Sequence, residues 1–310
     1  MESLMRHIIY FVACLFGLLT VIEVTGQTSL PLTELAAELC EQHRLIEASR
    51  EADKAIVDPI EMKEAQTWYI AGFIYKELYK ERESEMRESP YRERAMKYLQ
   101  NALTLDKSGA FTQNSKAAIR YLAISYFNDA LKRSKEINAA TAQEPEDLYQ
   151  KFRNSMRLVN VQTDFSEYDK QIFKALGQAH YKMWEQSTST ASFAARSADY
   201  FQRVLILDEK DCQAKFALVI IFYNQGVHKI RSLDIQSDLT DLIASQESAI
   251  RFFNKALPLA QACFDECPSK VEYYKGLMYC NRALGKEDEY FRLKTQLESL
   301  IESGLLQEKK

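Results

Sequence analysis

Residues 67–80 read TWYIAGFIYKELYK. Trp68, Ala71, Gly72 and Tyr75 recur at three- and four-residue steps, which places them on one face of a helix. A glycine on such a face suits a site where a second helix must come close, so these residues read as a packing seam. Tyr69 and Phe73 lie off that seam and are free to form a binding surface.

The same logic recurs along the chain. Four segments align without gaps: AMKYLQNALTLD (95–106), LYQKFRNSMRLV (148–159), SADYFQRVLILD (197–208) and AIRFFNKALPLA (249–260). Each has a large residue at its fifth position (Leu99, Phe152, Phe201, Phe253) and a smaller one three further on (Ala102, Ser155, Val204, Ala256). Large against small at helical spacing lets two helices approach closely. A second family alternates with the first: 67–79, IFKALGQAHYKMW (172–184), AIRYLAISYFNDA (118–130) and AKFALVIIFYNQG (214–226). A fifth, YYKGLMYCNRALG (273–285), fits less cleanly.

Composition agrees with a helical reading. The 310 residues are 46% hydrophobic and 27% charged, with only 9 Gly and 6 Pro to interrupt helices. The net charge of -4 supplies no global basic field for nucleic acid.

At this point the chain resembles tetratricopeptide repeats, helix–turn–helix units of about 34 residues with a W-x2-L-G-x2-Y first helix and an A-x3-F-x2-A second helix. Trp68, Gly72 and Tyr75 match the first helix; Ala95, Leu99 and Ala102 match the second. The clearest stretch is 201–226, FQRVLILDEKDCQAKFALVIIFYNQG, which departs at Lys215 in the Trp position and Val219 in the Gly position. The resemblance covers about residues 32–300 and implies an all-α, right-handed α-solenoid of about five to six hairpins. One departure is systematic. The family needs nine residues from the first-helix Tyr to the second-helix Ala, whereas the intervals here are 20, 22, 17 and 27. Each hairpin should therefore carry lengthened helices and loops along one edge of the array. In the last of these insertions, Leu233, Ile235, Leu239, Leu242 and Ile243 predict a short packed helix. Residues 32–59 read as an N-terminal capping helix pair and 287–304 as a C-terminal capping helix, within a single repeat domain spanning 27–310.

The N-terminus has its own pattern. Arg6 precedes a 15-residue apolar run, IIYFVACLFGLLTVI (8–22), and Val24 and Gly26 suit a small-residue cleavage site. This predicts a signal peptide, cleaved after Gly26, with export to the periplasm or the outside. The alternative is an uncleaved anchor, for which the run is short. Export permits disulfides. Cys40, Cys212, Cys263, Cys267 and Cys280 would remain, an odd number, so at least one stays free or pairs between chains. Cys280 with Cys263 or Cys267 is one geometrically conceivable pairing; the other reading makes all five small buried hydrophobes.

Chemistry-bearing motifs are sparse. His43, His180 and His228 stand far apart, and His180 occupies a seam position usual for Tyr, so it reads as a core histidine. No phosphate-binding glycine loop, nucleophile elbow or zinc spacing is present, so neither cofactor nor metal is expected, and no enzyme. The expectation is a non-catalytic scaffold for a peptide or protein partner. A component of cell-envelope or outer-membrane assembly machinery is the alternative, and an enzyme or carbohydrate-binding protein using the insertions a further one. No stable membrane span is expected after cleavage, and no nucleic-acid partner. By the resemblance, groove-facing positions fall on Tyr69, Phe73 and Lys76, then on Arg120, Ile124 and Phe127. They continue with Lys174, Gln178 and Tyr181, and with Phe216, Ile220, Tyr223 and Asn224. The alternative is that these aromatics pack against the lengthened hairpins. The family's carboxylate clamp of Lys, Asn and Arg is largely absent.

Overall fold

The computed structural model describes residues 30–187, 191–233, 238–268 and 270–307. The apolar segment 8–22 and the predicted cleavage site lie outside the described residues. Twelve α-helices and no strand occur among them. They are α1 (Leu32–Glu41), α2 (Leu45–Ala55), α3 (Ala65–Leu78), α4 (Pro90–Leu105), α5 (Thr112–Ser134) and α6 (Glu144–Val159). The series continues with α7 (Ser166–Gln186), α8 (Ala191–Leu207), α9 (Cys212–Arg231), α10 (Leu239–Glu266), α11 (Val271–Ala283) and α12 (Glu287–Glu302). Consecutive helices pair as six hairpins, and adjacent hairpins stack, giving an all-α solenoid with the architecture that the tetratricopeptide resemblance implies. No described helix is long and apolar enough to cross a membrane.

The seam reading explains the hairpins. A Cβ on Gly72 would stand 2.7 Å from Leu99 Cγ and 3.0 Å from the Leu99 backbone N. A Cβ on Gly177 would meet the Phe201 ring at 2.7 Å. In the second clear hairpin Ala123 takes the small position, fully buried in the same cluster as Phe152. The fourth differs from expectation. Phe253 rests on Gly226, whose Cβ would come within 2.5 Å of the ring. Val219, aligned to the glycine position, instead shares a buried cluster with Ala256 and Ala260. The tight contact has moved two turns along α9 because large and small have exchanged helices at the first site.

Lys215, in place of the family's Trp, is buried at the start of α9, and its Nζ donates to both Glu266 carboxylate oxygens at 2.7 and 2.6 Å. An ion pair thus closes the base of the hairpin where an indole would otherwise fill it.

The insertions are mostly helix. Helix α5 has 23 residues, α7 21, α9 20 and α10 28. After α3 the chain makes a π-helical turn, Tyr79–Glu83. Buried Glu83 then accepts from Ser89 Oγ at 2.7 Å and Tyr91 N at 2.9 Å, while Ser89 caps α4 ahead of Pro90. The short packed helix expected from Leu233, Ile235, Leu239, Leu242 and Ile243 does not occur as a separate element among the described residues; Ile235 lies outside them. Asp238 caps the chain there by accepting from Asp241 N at 2.8 Å, and α10 runs on unbroken, with Leu239, Leu242 and Ile243 exposed. A good cap with no glycine or proline before Pro258 leaves nothing to stop the helix.

Stacked hairpins are tied by polar contacts. Arg92, 3% exposed, donates to Asp129 at 2.7 Å and Ser125 at 3.2 Å, with its guanidinium 4.0 Å from the Tyr126 ring. Tyr75 donates its hydroxyl to Asp53 at 2.8 Å and accepts from Arg94, also at 2.8 Å. Burial, with the Asp53 carboxylate adding, raises the Tyr75 phenol well above its ordinary pKa.

The disulfide corrects the pairing suggested for Cys280. Cys212, at the first turn of α9, is bonded to Cys267, the residue ending α10. The two ends meet because the hairpin is antiparallel. Cys280 sits in the last turn of α11, fully buried in the cluster that holds Leu277 and Leu293, with burial pushing its thiol up to about 12. Cys40 and Cys263 are also free thiols.

Candidate functional site

First helices of neighbouring hairpins touch along one face of the array, but α7 and α9 approach less closely than the other neighbouring pairs. A cavity of about 390 Å3 lies there, walled by α7, α9 and the start of α11. Lys174, Gln178 and Tyr181 come from α7, at i, i+4 and i+7, one stripe of that helix. Gln213, Phe216, Ala217 and Ile220 come from α9; Lys270, Glu272 and Tyr273 form the far wall, with Phe201 behind.

The walls are held by contacts among the lining residues and by Asp211 and Asn224 behind them. Asp211 caps α9 by accepting from Ala214 N at 2.9 Å, and Lys174 Nζ reaches it at 2.5 Å and Gln213 Oε1 at 3.3 Å. Burial works against the Asp211 carboxylate, yet Lys174 and the amides of Ala214 and Gln213 hold its pKa below the usual range. Asn224 Nδ2 donates to the Tyr181 hydroxyl at 2.6 Å, tying α9 to α7; burial pushes this phenol up to about 12 against the opposing amide. On the other side the Phe216 ring packs at a tilt 4.8 Å from Tyr273 and fills the space over Gly276, where a Cβ would come within 2.7 Å. These contacts preorganise an aromatic and amide-lined recess with the Lys270 ammonium 5.5 Å from the Tyr273 ring.

Of the groove positions expected from sequence, Lys174, Gln178, Tyr181, Phe216 and Ile220 surround this one cavity. Tyr223 and Asn224 do not line it. Tyr223 packs on Phe253, ring centroids 5.4 Å apart, and Asn224 stands behind Tyr181. Tyr69, Phe73 and Lys76 form a separate, half-buried patch. There Tyr69 lies 5.4 Å from Phe111, and Lys76 sits 4.0 Å over Phe73 while pairing with Glu77 at 2.6 Å. Arg120 is exposed and Ile124 packs on the main core.

Phe127 is a correction. It is 4% exposed, with rings of Phe152, Tyr168 and Tyr149 at 5.1, 5.0 and 6.0 Å, so it is core and offers no surface. Tyr168, in the first turn of α7, packs edge-on against it. Phe201, Gln213, Lys270, Glu272 and Tyr273 escaped the sequence reading. Phe201 reads as a seam residue, and YYKGLMYCNRALG (273–285) matches the first-helix pattern too poorly to set a groove register. The signal that identifies the last wall is Gly276, whose missing side chain admits Phe216.

His180 is fully buried, as expected of a core residue, and stacks on Tyr200 at 5.5 Å. Neither ring nitrogen, however, has a hydrogen-bond partner among the described residues. Burial, and secondarily Arg196, holds its pKa below the ordinary value.

No protein-family model matches the chain. No curated protein matches it either. Among solved structures, a crystal structure of the P58(IPK) TPR domain aligns with 83% of this chain and 98% of that chain, at 12% identity and a TM-score of 0.17. The fold assignment rests on the chain's own hairpins and their stacking.

Proposed function

We propose that this protein is a non-catalytic interaction scaffold that captures an extended peptide or protein segment in the cavity between α7, α9 and α11. One observation carries the reading: groove positions from two successive repeats, with a third first helix, converge on a single recess of about 390 Å3. Its aromatic walls suit an apolar side chain, while Gln178, Gln213 and Lys270 offer polar groups to a peptide backbone. Among the lining residues Glu272 is the sole carboxylate, and Lys174 is engaged by Asp211, so the arrangement favours holding over proton transfer. Export, read from residues 1–26, would place this binding in the periplasm or outside the cell, where cell-envelope machinery is one class of partner.

Peptide display selection on the purified protein tests this. Enriched peptides should lose about tenfold or more in affinity on Phe216→Ala, a lining change of hot-spot type, while Tyr69→Ala leaves them unaffected. Failure of any peptide to enrich, or equal losses at both positions, would count against the cavity.

A further inference from the structure

Three cysteines gather at the base of the α9/α10 hairpin. Cys212 and Cys267 are bonded, and the buried Cys263 thiol donates to the Cys212 carbonyl at 3.7 Å. Cys263 lies in the last turn of α10 and Cys267 is the residue that ends it; the bond from Cys267 and the hydrogen bond from Cys263 both reach Cys212, at the start of α9. Bonding Cys212 to Cys263 would close a sequence separation of 51 instead of 55, so chain entropy scarcely distinguishes the two bonds. Both ends of the existing bond border the candidate cavity. Cys212 precedes Gln213, and Cys267 stands three residues before Lys270.

We propose that Cys212, Cys263 and Cys267 form a thiol–disulfide exchange unit that switches between a Cys212–Cys267 bond, which tethers the Lys270–Tyr273 wall, and a Cys212–Cys263 bond, which releases it. Cys263 is fully buried, so its thiol gives its proton to solvent base when the hairpin base opens, and the thiolate attacks Cys212 Sγ. A Cys263–Cys212 bond forms as the Cys212–Cys267 bond breaks; the electron pair leaves on Cys267 Sγ, which takes up a proton. One disulfide and one thiol stand on each side, so no outside oxidant or reductant is required. Charged and titratable groups facing Cys263 are Lys215 of α9, Glu266 of α10 and Tyr273 of α11. Burial pushes the thiol up to about 11, Lys215 opposing and Glu266 adding. The thiolate is therefore scarce at neutral pH and exchange is slow there.

The full oxidised chain tests this without any ligand, so its outcome is separate from that of the peptide-binding reading. Samples held at pH 9 are acid-quenched, alkylated and mapped without reduction, with cleavage at Asp265 or Glu266 separating the two α10 cysteines. Expected is a Cys212–Cys263 peptide with alkylated Cys267, forming about a hundredfold more slowly at pH 7 as thiolate falls, and absent in Cys263→Ser. Oxidised Cys267→Ala should hold the Cys212–Cys263 bond and show faster amide hydrogen exchange over residues 270–276. Retention of the Cys212–Cys267 bond alone at pH 9, under conditions where the denaturant-unfolded chain scrambles, would overturn the proposal. So would a Cys267→Ala protein in which Cys212 and Cys263 both remain free thiols after oxidation, or unchanged exchange over 270–276.

Discussion

Gly72 and Gly177 occupy equivalent seams but meet different atoms, and the difference is measurable. At Gly72 an added Cβ would stand 2.7 and 2.9 Å from Leu99 side-chain carbons and 3.0 Å from the Leu99 backbone N. At Gly177 the three nearest atoms, at 2.7, 3.0 and 3.0 Å, all belong to the Phe201 ring. Gly72→Leu should therefore overpack the α3/α4 seam by about 3 kcal/mol, offset by about 1 kcal/mol of helix propensity regained. The net loss is about 2 kcal/mol. Alanine scans the same contrast more finely. Gly177→Ala combined with Phe201→Leu should be sub-additive by about 1 kcal/mol, because the smaller side chain relieves the clash. Gly72→Ala with Leu99→Ala should couple less, because the backbone nitrogen stays where it was. Urea titration gives the stabilities, and amide exchange in α3 and α7 locates the loss, since a repeat array need not unfold as one unit. Unchanged stability in Gly72→Leu would refute the assignment of Gly72 to close helix contact, and equal coupling at the two seams would refute the role given to the Leu99 backbone.

Three further outcomes follow from the packing. His180 has a depressed folded-state pKa, so the unfolded chain binds the proton more readily. Stability should fall as pH drops below about 6.5, by at most about 1.4 kcal/mol per unit, and His180→Phe should flatten urea midpoints between pH 5 and 7. Arg92→Ala strands Asp129, 18% exposed, and should cost about 3 kcal/mol by denaturant titration, with Arg92→Lys recovering only part because the Tyr126 stacking needs a planar guanidinium. Replacing both Cys212 and Cys267 by serine, which opens a separation of 55 residues, should cost about 2–4 kcal/mol by urea titration; no loss would mean that the Lys215–Glu266 pair alone holds the hairpin base.

Local spacing by itself determined most of the architecture. Helix faces repeat every three to four residues, so Trp68, Gly72 and Tyr75, or Leu99 and Ala102, declare a seam within a dozen residues. Other features depend on how hairpins sit against one another, which no local window contains. Phe127 occupies a groove position in its own repeat and is buried only because Tyr168 and Phe152 reach it from α7 and α6. Val219 holds the glycine position by alignment, yet the close contact forms at Gly226 because Phe253 reaches there. Lys174, Tyr181, Phe216 and Tyr273 become one cavity only where α7 and α9 draw apart and Gly276 lets a ring in. Cys267 pairs with Cys212 because an antiparallel hairpin returns the end of α10 to the start of α9, 55 residues earlier. Sequence sets which face a side chain takes on its own helix; the spacing and angle between helices decide what that face meets.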